Sequence, residues 1–129
     1  MTYCELMYDS LNALLCKGDV LQCPIYGCML FKRGRHCFGY FGLTDDMLLV
    51  SLLQGDSKHV SVTGRIPLSD IARVNIKRSL VPMQRKICIS LHTGNRIKLR
   101  VSRKVYGFKA QRENLDGFMA RLSSMSAWE

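Results

Sequence analysis

No uncharged apolar run approaches the roughly 18 residues that a membrane-spanning helix needs, so none is expected. The start, Met-Thr-Tyr-Cys-Glu-Leu, lacks a basic segment ahead of an apolar stretch, and no secretory leader is expected. There is no low-complexity segment, no linker and no internal repeat. The chemical signatures of catalysis are missing too. No glycine-rich phosphate loop leads into a helix, and neither HExxH nor GxSxG occurs. His36, His59 and His92 sit in or beside loops without a local acid partner or nucleophile motif. No enzyme, no catalytic residue and no cofactor is therefore expected. The most informative absence is local: residues 73–112 contain no Asp or Glu.

That block holds twelve of the nineteen Lys and Arg residues, a net charge of +12. Residues 1–72 carry a net −1 and residues 113–129 a net −2. Forty residues thus carry all the excess in a chain of net +9. Such a block suits polyanions: anionic lipid, nucleic acid or an acidic protein. A solvated basic surface that only aids solubility is the alternative. The hydrophobic share of 47% and charged share of 22% are those of an ordinary globular protein. At 129 residues the chain is one domain with a core of its own, expected to be cytoplasmic.

The six cysteines are Cys4, Cys16, Cys23, Cys28, Cys37 and Cys88. Without a leader or a close-spaced pair they read as free thiols acting as small hydrophobes. A zinc site from Cys23, Cys28, His36 and Cys37 lacks the usual short ligand spacing and a second Cys/His pair, so no metal is expected.

Residues 4–17 read as a helix, with Tyr3, Met7, Leu11, Leu14 and Leu15 on one stripe and Gly18 as its stop. The stripe fits packing on its own domain better than a membrane helix, whose polar face would be Lys/Arg-rich. From Asp19 to Arg103 the texture is of β-type runs separated by turns. The runs are Val20 to Phe31, Cys37 to Thr44, Met47 to Leu53, His59 to Ile66, Ile71 to Leu80, Lys86 to His92 and Arg96 to Ser102. In the last three, Val74, Ile76, Ile87, Ile89, Leu91, Ile97, Leu99 and Val101 alternate with polar and cationic residues. Tight turns between strands are an antiparallel pattern. Leu115, Phe118, Met119 and Leu122 then recur at helical spacing, as in a helix that covers a β core, with Gly117 a weak point within it.

Two segments carry a family resemblance. Gly42-Leu43-Thr44-Asp45-Asp46-Met47-Leu48-Leu49 resembles the G-x-L-x-L-T-x-x-R-L strand–turn–strand of GRAM-like and bacterial pleckstrin-homology-like (PH-like) domains. Ile66-Pro67-Leu68-Ser69-Asp70-Ile71-Ala72-Arg73-Val74 resembles their I-P-L-x-D-I-x-x-V segment. Met47-Leu48 departs from the Arg-Leu that many relatives carry. The resemblance spans about residues 19–125 and implies a mainly β fold: a PH-like barrel of seven antiparallel strands in two near-orthogonal sheets, capped by a C-terminal helix. Residues 1–18 would then be an added N-terminal helix and residues 19–129 the domain proper. The resemblance implies a non-enzymatic module that binds lipids or proteins.

Two features could serve that binding. Lys32-Arg33-Gly34-Arg35 lies in the first hairpin, where phosphoinositide-binding relatives place a basic cluster. Arginine offers paired donors to phosphate oxygens. If the last three strands alternate as read, one sheet face displays Arg73, Lys77, Lys86, Arg96, Lys98 and Arg100. Like charges on neighbouring strands repel, so such a face either stays wet or meets an anion. Nucleic acid fits less well, because few aromatic rings accompany the cations. The expected partner is an anionic membrane surface, reached peripherally, or an acidic protein. Self-association through a sheet edge or the N-terminal helix is the alternative.

Overall fold

The computed structural model describes residues 3–54, 60–81 and 83–126. Among the described residues, nine helices and strands fit into this length because most of the turns between them are tight. In chain order they are α1 (Tyr3–Asn12), β1 (Gln22–Leu30), β2 (His36–Leu43), β3 (Met47–Leu53), β4 (Val60–Pro67), β5 (Ile71–Arg78), β6 (Gln84–Leu91), β7 (Arg96–Ser102) and α2 (Gln111–Ser126). Short 3-10 turns at Lys32–Gly34 and Leu68–Asp70 complete the set. The expected strand number, antiparallel pairing and two helices are present. The loop expected at residues 54–58, the strand start at His59 and the turn at Pro82 fall wholly or partly outside the described residues.

All seven strands form one sheet in the order β4-β3-β2-β1-β7-β6-β5. Every pairing is antiparallel. The first four strands form one meander and the last three another. Three residue pairs splice them: Cys28 with Arg100, Met29 with Leu99 and Leu30 with Lys98. β4 and β5 end the order, so the sheet does not close. α2 packs against both β1 and β5, with Leu115, Phe118 and Leu122 fully buried against Ile25, Phe41, Ile87, Ile89, Leu99 and Val101. That is the covering role expected of the C-terminal stripe.

Gly117 allows α2 to come this close. A Cβ there would lie 2.8 Å from Cys23 Sγ, well inside van der Waals contact. The polar side chains at the start of α2 complete the join. Gln111, 1% exposed, accepts from the Tyr26 amide at 3.0 Å and donates to the carbonyls of Tyr26 at 2.8 Å and Ser102 at 2.9 Å. It thus occupies the point where β1 and β7 cease to pair. Asn114 donates to Pro24 O at 2.9 Å, serving the irregular start of β1, where the register shifts between Gln22 and Ile25.

α1 lies on the opposite face of the first meander. Met7 and Leu11 are buried against Tyr40, Leu49, Leu53 and Phe108. β3 is therefore covered on both sides, which accounts for a run, Met47–Leu53, that is apolar except at buried Ser51. The helix ends at Asn12 and not at Lys17. Leu14 and Leu15 continue the apolar stripe, but their amides bond to Leu11 O and Asn12 O in tighter turns that lead out of the helix. Gly18, at φ 91°, serves that later turn.

The two segments of the family resemblance meet in space. Thr44, fully buried, accepts from the Met47 amide at 2.9 Å and donates to Asp46 at 3.0 Å through its hydroxyl, closing the β2–β3 turn. The Leu68 amide then donates to Asp46 O at 2.8 Å. Asp45 and Asp46 are turn residues, as expected.

Candidate anion-binding cleft

β1 and β2 are joined by residues 31–35, where the Phe31 amide donates to Arg35 O at 2.8 Å. The turn needs two consecutive left-handed residues, Arg33 at φ 63° and Gly34 at φ 72°. Glycine adopts this at no cost, whereas Arg33 carries some strain. β6 and β7 are joined by residues 92–95, closed by Leu91 N–H to Asn95 O at 2.8 Å and Gly94 N–H to Leu91 O at 2.9 Å. Because Leu30 pairs with Lys98, the β1–β2 turn and the β6–β7 hairpin end side by side.

Between them is an open cleft of about 950 Å³. Its walls are Leu30, Phe31, Lys32, Arg33 and Arg35 from one hairpin and Gly94, Asn95, Arg96 and Lys98 from the other. Five of these nine are cations and none is an acid. All five cations are exposed, so their charges stay hydrated and available. The Arg65–Asp19 pair at 3.6 Å and the Arg103–Asp116 pair at 3.5 Å involve other cations that do not line the cleft. Guanidinium groups approaching from two hairpins can offer paired hydrogen bonds to oxygens on different sides of one phosphate.

The alternation expected for the last three strands is present. Ile87, Ile89, Leu99 and Val101 are buried beneath. Above them the pairing sets three rows across β5, β6 and β7: Lys77–Lys86–Arg100, Asn75–Cys88–Lys98 and Arg73–Ser90–Arg96. The nine candidate cations therefore divide. Lys32, Arg33, Arg35, Arg96 and Lys98 converge on the cleft. Arg73 shares the row of Arg96, while Lys77, Lys86 and Arg100 form the row farthest along the hairpin from it. Leu30, Phe31, Gly94 and Asn95 were not singled out from the sequence. The Thr93-Gly94-Asn95 hairpin next to Arg96 was the one available signal for two of them.

The thiols are spread through the fold. Cys28 is buried, Cys16 exposed and the other four intermediate. Burial pushes the Cys28 thiol up, opposed in part by the Arg100 guanidinium beside it. Burial does the same to Cys23, opposed by Arg121. Arg121 itself is structural, donating to Thr44 O at 3.0 Å and to the Gln22 side chain. Among the described residues no group of three or more His, Cys, Asp or Glu side chains could hold a metal ion, and no helix is long and apolar enough to cross a membrane.

No protein-family model matches the chain, and no curated protein matches it in sequence. Solved structures do share its fold. The hSac2 domain from human phosphoinositide phosphatase Sac2 superposes with a TM-score of 0.62 at 11% identity, over 95% of this chain and 79% of that one. The C-terminal domain of an unknown protein from Leishmania infantum superposes with a TM-score of 0.59 at 15% identity, over 94% of this chain and 98% of that one. At these identities the likeness is one of fold: a mainly β domain of the architecture shared with these two structures.

Proposed function

We propose that this chain is a non-enzymatic binding module of the PH-like, GRAM-like type. Its cleft between the β1–β2 turn and the β6–β7 hairpin takes a phosphate group of an anionic membrane lipid. The observation that supports this most is the convergence of five cations from two hairpins on one cleft with no acidic residue in its walls. Arginines on separate elements supply shape as well as charge, which a single basic turn does not. The likeness to a domain of a phosphoinositide phosphatase agrees with a binding module near lipid phosphates. The protein would then work as a cytoplasmic, peripheral membrane component.

Co-sedimentation with vesicles tests the reading. Phosphatidylcholine vesicles should bind weakly, and vesicles that also contain phosphatidylserine or a phosphoinositide should bind well, with affinity falling as salt rises. Arg33→Glu with Arg35→Glu should cut binding at least tenfold. Lys109→Glu with Arg112→Glu changes net charge equally at two exposed residues outside the cleft and should cost much less. Equal losses from both pairs would mean that only net charge matters.

An exposed sheet edge favours a second reading, that of a protein-interaction or self-assembly module. On β4, Val60 is 40% and Val62 56% exposed at one end of the strand order. Light scattering on the intact protein separates the two: a concentration-dependent dimer abolished by Val62→Lys supports pairing through this edge.

A further inference from the structure

The opposite end of the β6–β7 hairpin carries a different surface. β5 ends at Arg78, which faces Arg85 of β6 in register. Leu80 is fully exposed, Val81 is 54% exposed and Met83 42% exposed. Met83 sits at φ 70°, a conformation that favours glycine, yet a large apolar side chain stands there. Its carbonyl accepts from the Arg103 amide, so the tip is tied to the segment that follows β7. Arg78, Arg85, Lys86 and Lys104 neighbour the tip in sequence, in register or through that tie, against one nearby acid, Asp116 of α2, which lines a groove with Arg78 and Arg85 and pairs with Arg103 at 3.5 Å.

Three large apolar side chains in water beside a cluster of cations are a poor surface for a free domain. Nucleic acid or a purely acidic protein face would answer the charges and leave the apolar atoms unmatched. An anionic bilayer answers both at once. Its headgroups take the cations, and the boundary with the acyl chains takes Leu80, Val81 and Met83. The cleft and the tip are at opposite ends of β6 and β7, roughly 20 Å apart at strand rise. The outer face of β5–β7, which carries Arg73, Lys77, Lys86, Arg96, Lys98 and Arg100, runs between them.

We propose that the β5–β6 tip is a second, hydrophobic membrane contact. It inserts into an anionic bilayer while the outer face of β5–β7 lies along the surface with the lipid-phosphate cleft at its other end. This rests on the reading that the cleft takes a lipid phosphate, and the two are separable by experiment.

The first arm is Leu80→Ser with Val81→Ser, which leaves the net charge unchanged, measured against phosphatidylcholine–phosphatidylserine vesicles and, separately, against soluble pyrophosphate. Vesicle affinity should drop about tenfold or more, since two apolar side chains lose their burial, while pyrophosphate binding stays unchanged. The second arm places a reporter: Leu80→Trp in a Trp128→Phe background should shift its emission to the blue with vesicles and be quenched by brominated acyl chains. Unchanged vesicle affinity in the first arm, or an unquenched tryptophan on vesicles that the protein demonstrably binds, overturns the insertion proposal. A quenched tryptophan in a protein that binds no pyrophosphate supports insertion and removes the cleft reading instead.

Discussion

Replacing Gln111 by leucine tests how the two halves of the sheet are held together. The change keeps the side chain's approximate size and removes one acceptor and two donated hydrogen bonds, at 3.0, 2.8 and 2.9 Å. The Tyr26 amide and the carbonyls of Tyr26 and Ser102 lose this partner at a position 1% exposed. Each buried group left without a partner costs about 1–3 kcal/mol, and relaxation or an entering water recovers part of that. A loss of about 3 kcal/mol follows, which for a domain of this size lowers Tm by roughly 10 °C. Urea unfolding followed by circular dichroism gives the value directly. Gln111→Glu sharpens the test, because a carboxylate still accepts from the Tyr26 amide but confronts both carbonyls. Burial and those carbonyls would raise the introduced group's pKa, so its penalty should shrink as pH falls towards about 4 and grow as pH rises through the raised value. A leucine variant within about 0.5 kcal/mol of the parent would refute the reasoning, since a bond set of no consequence on this scale cannot be what secures the end of the β1–β7 pairing.

Other outcomes follow from the same packing. Leu11→Ala, which uncovers the outer face of β3, should destabilise by about 2–5 kcal/mol in denaturant unfolding. Gly117→Ala should cost about 1 kcal/mol in the parent, because the new Cβ meets Cys23 Sγ, and should instead stabilise by about that amount in a Cys23→Gly background, where the sulfur is gone and helix propensity decides. Iodoacetamide at mildly alkaline pH should label exposed Cys16 in the folded protein well before Cys28 or Cys23, as peptide mapping would show. Both raised thiols resist ionisation in the fold, so their contribution to stability is intact below about pH 8.5 and is lost as pH climbs through their folded values. A stability profile that is flat from neutral to strongly alkaline pH would contradict this.

Much of the architecture was legible because it is written in periodicity. Met47–Leu53 and Arg96–Ser102 have the strand limits read from the sequence, since each is bounded by turn residues and one alternates cleanly. The buried set on β6 and β7 follows from a period of two. Helix α1 was read five residues too long because Leu14 and Leu15 keep the helical spacing while the backbone has already left the helix. Gln111 carried no sequence signal: one polar residue at the start of a helix looks like any other, and its partners are 85 positions away on β1 and 9 away on β7. The division of the nine candidate cations was likewise hidden. It depends on Leu30 pairing with Lys98, a contact between the first strand and the last, which local pattern does not encode.

The wholly cationic row across β5, β6 and β7 is hard to explain by folding alone. The buried face of β5–β7 supplies the apolar contacts that hold these strands, and those contacts are indifferent to what stands on the other side. Lys77, Lys86 and Arg100 nevertheless lie abreast on three neighbouring strands. Like charges facing one another cost a few tenths of a kcal/mol per pair, and an acid in the middle position would turn that cost into a gain. Thr, Glu or Gln at position 86 would satisfy the strand equally well. Under the proposed function, such an arrangement, which the fold would be more stable without, is what an anion-binding face requires. Arg33, a non-glycine residue held at φ 63° in the cleft's own turn, is a second departure of the same kind. Arg96 and Lys98, from the other two rows, stand beside Arg33 and Arg35 in the cleft, at the opposite end of the face from Lys77, Lys86 and Arg100.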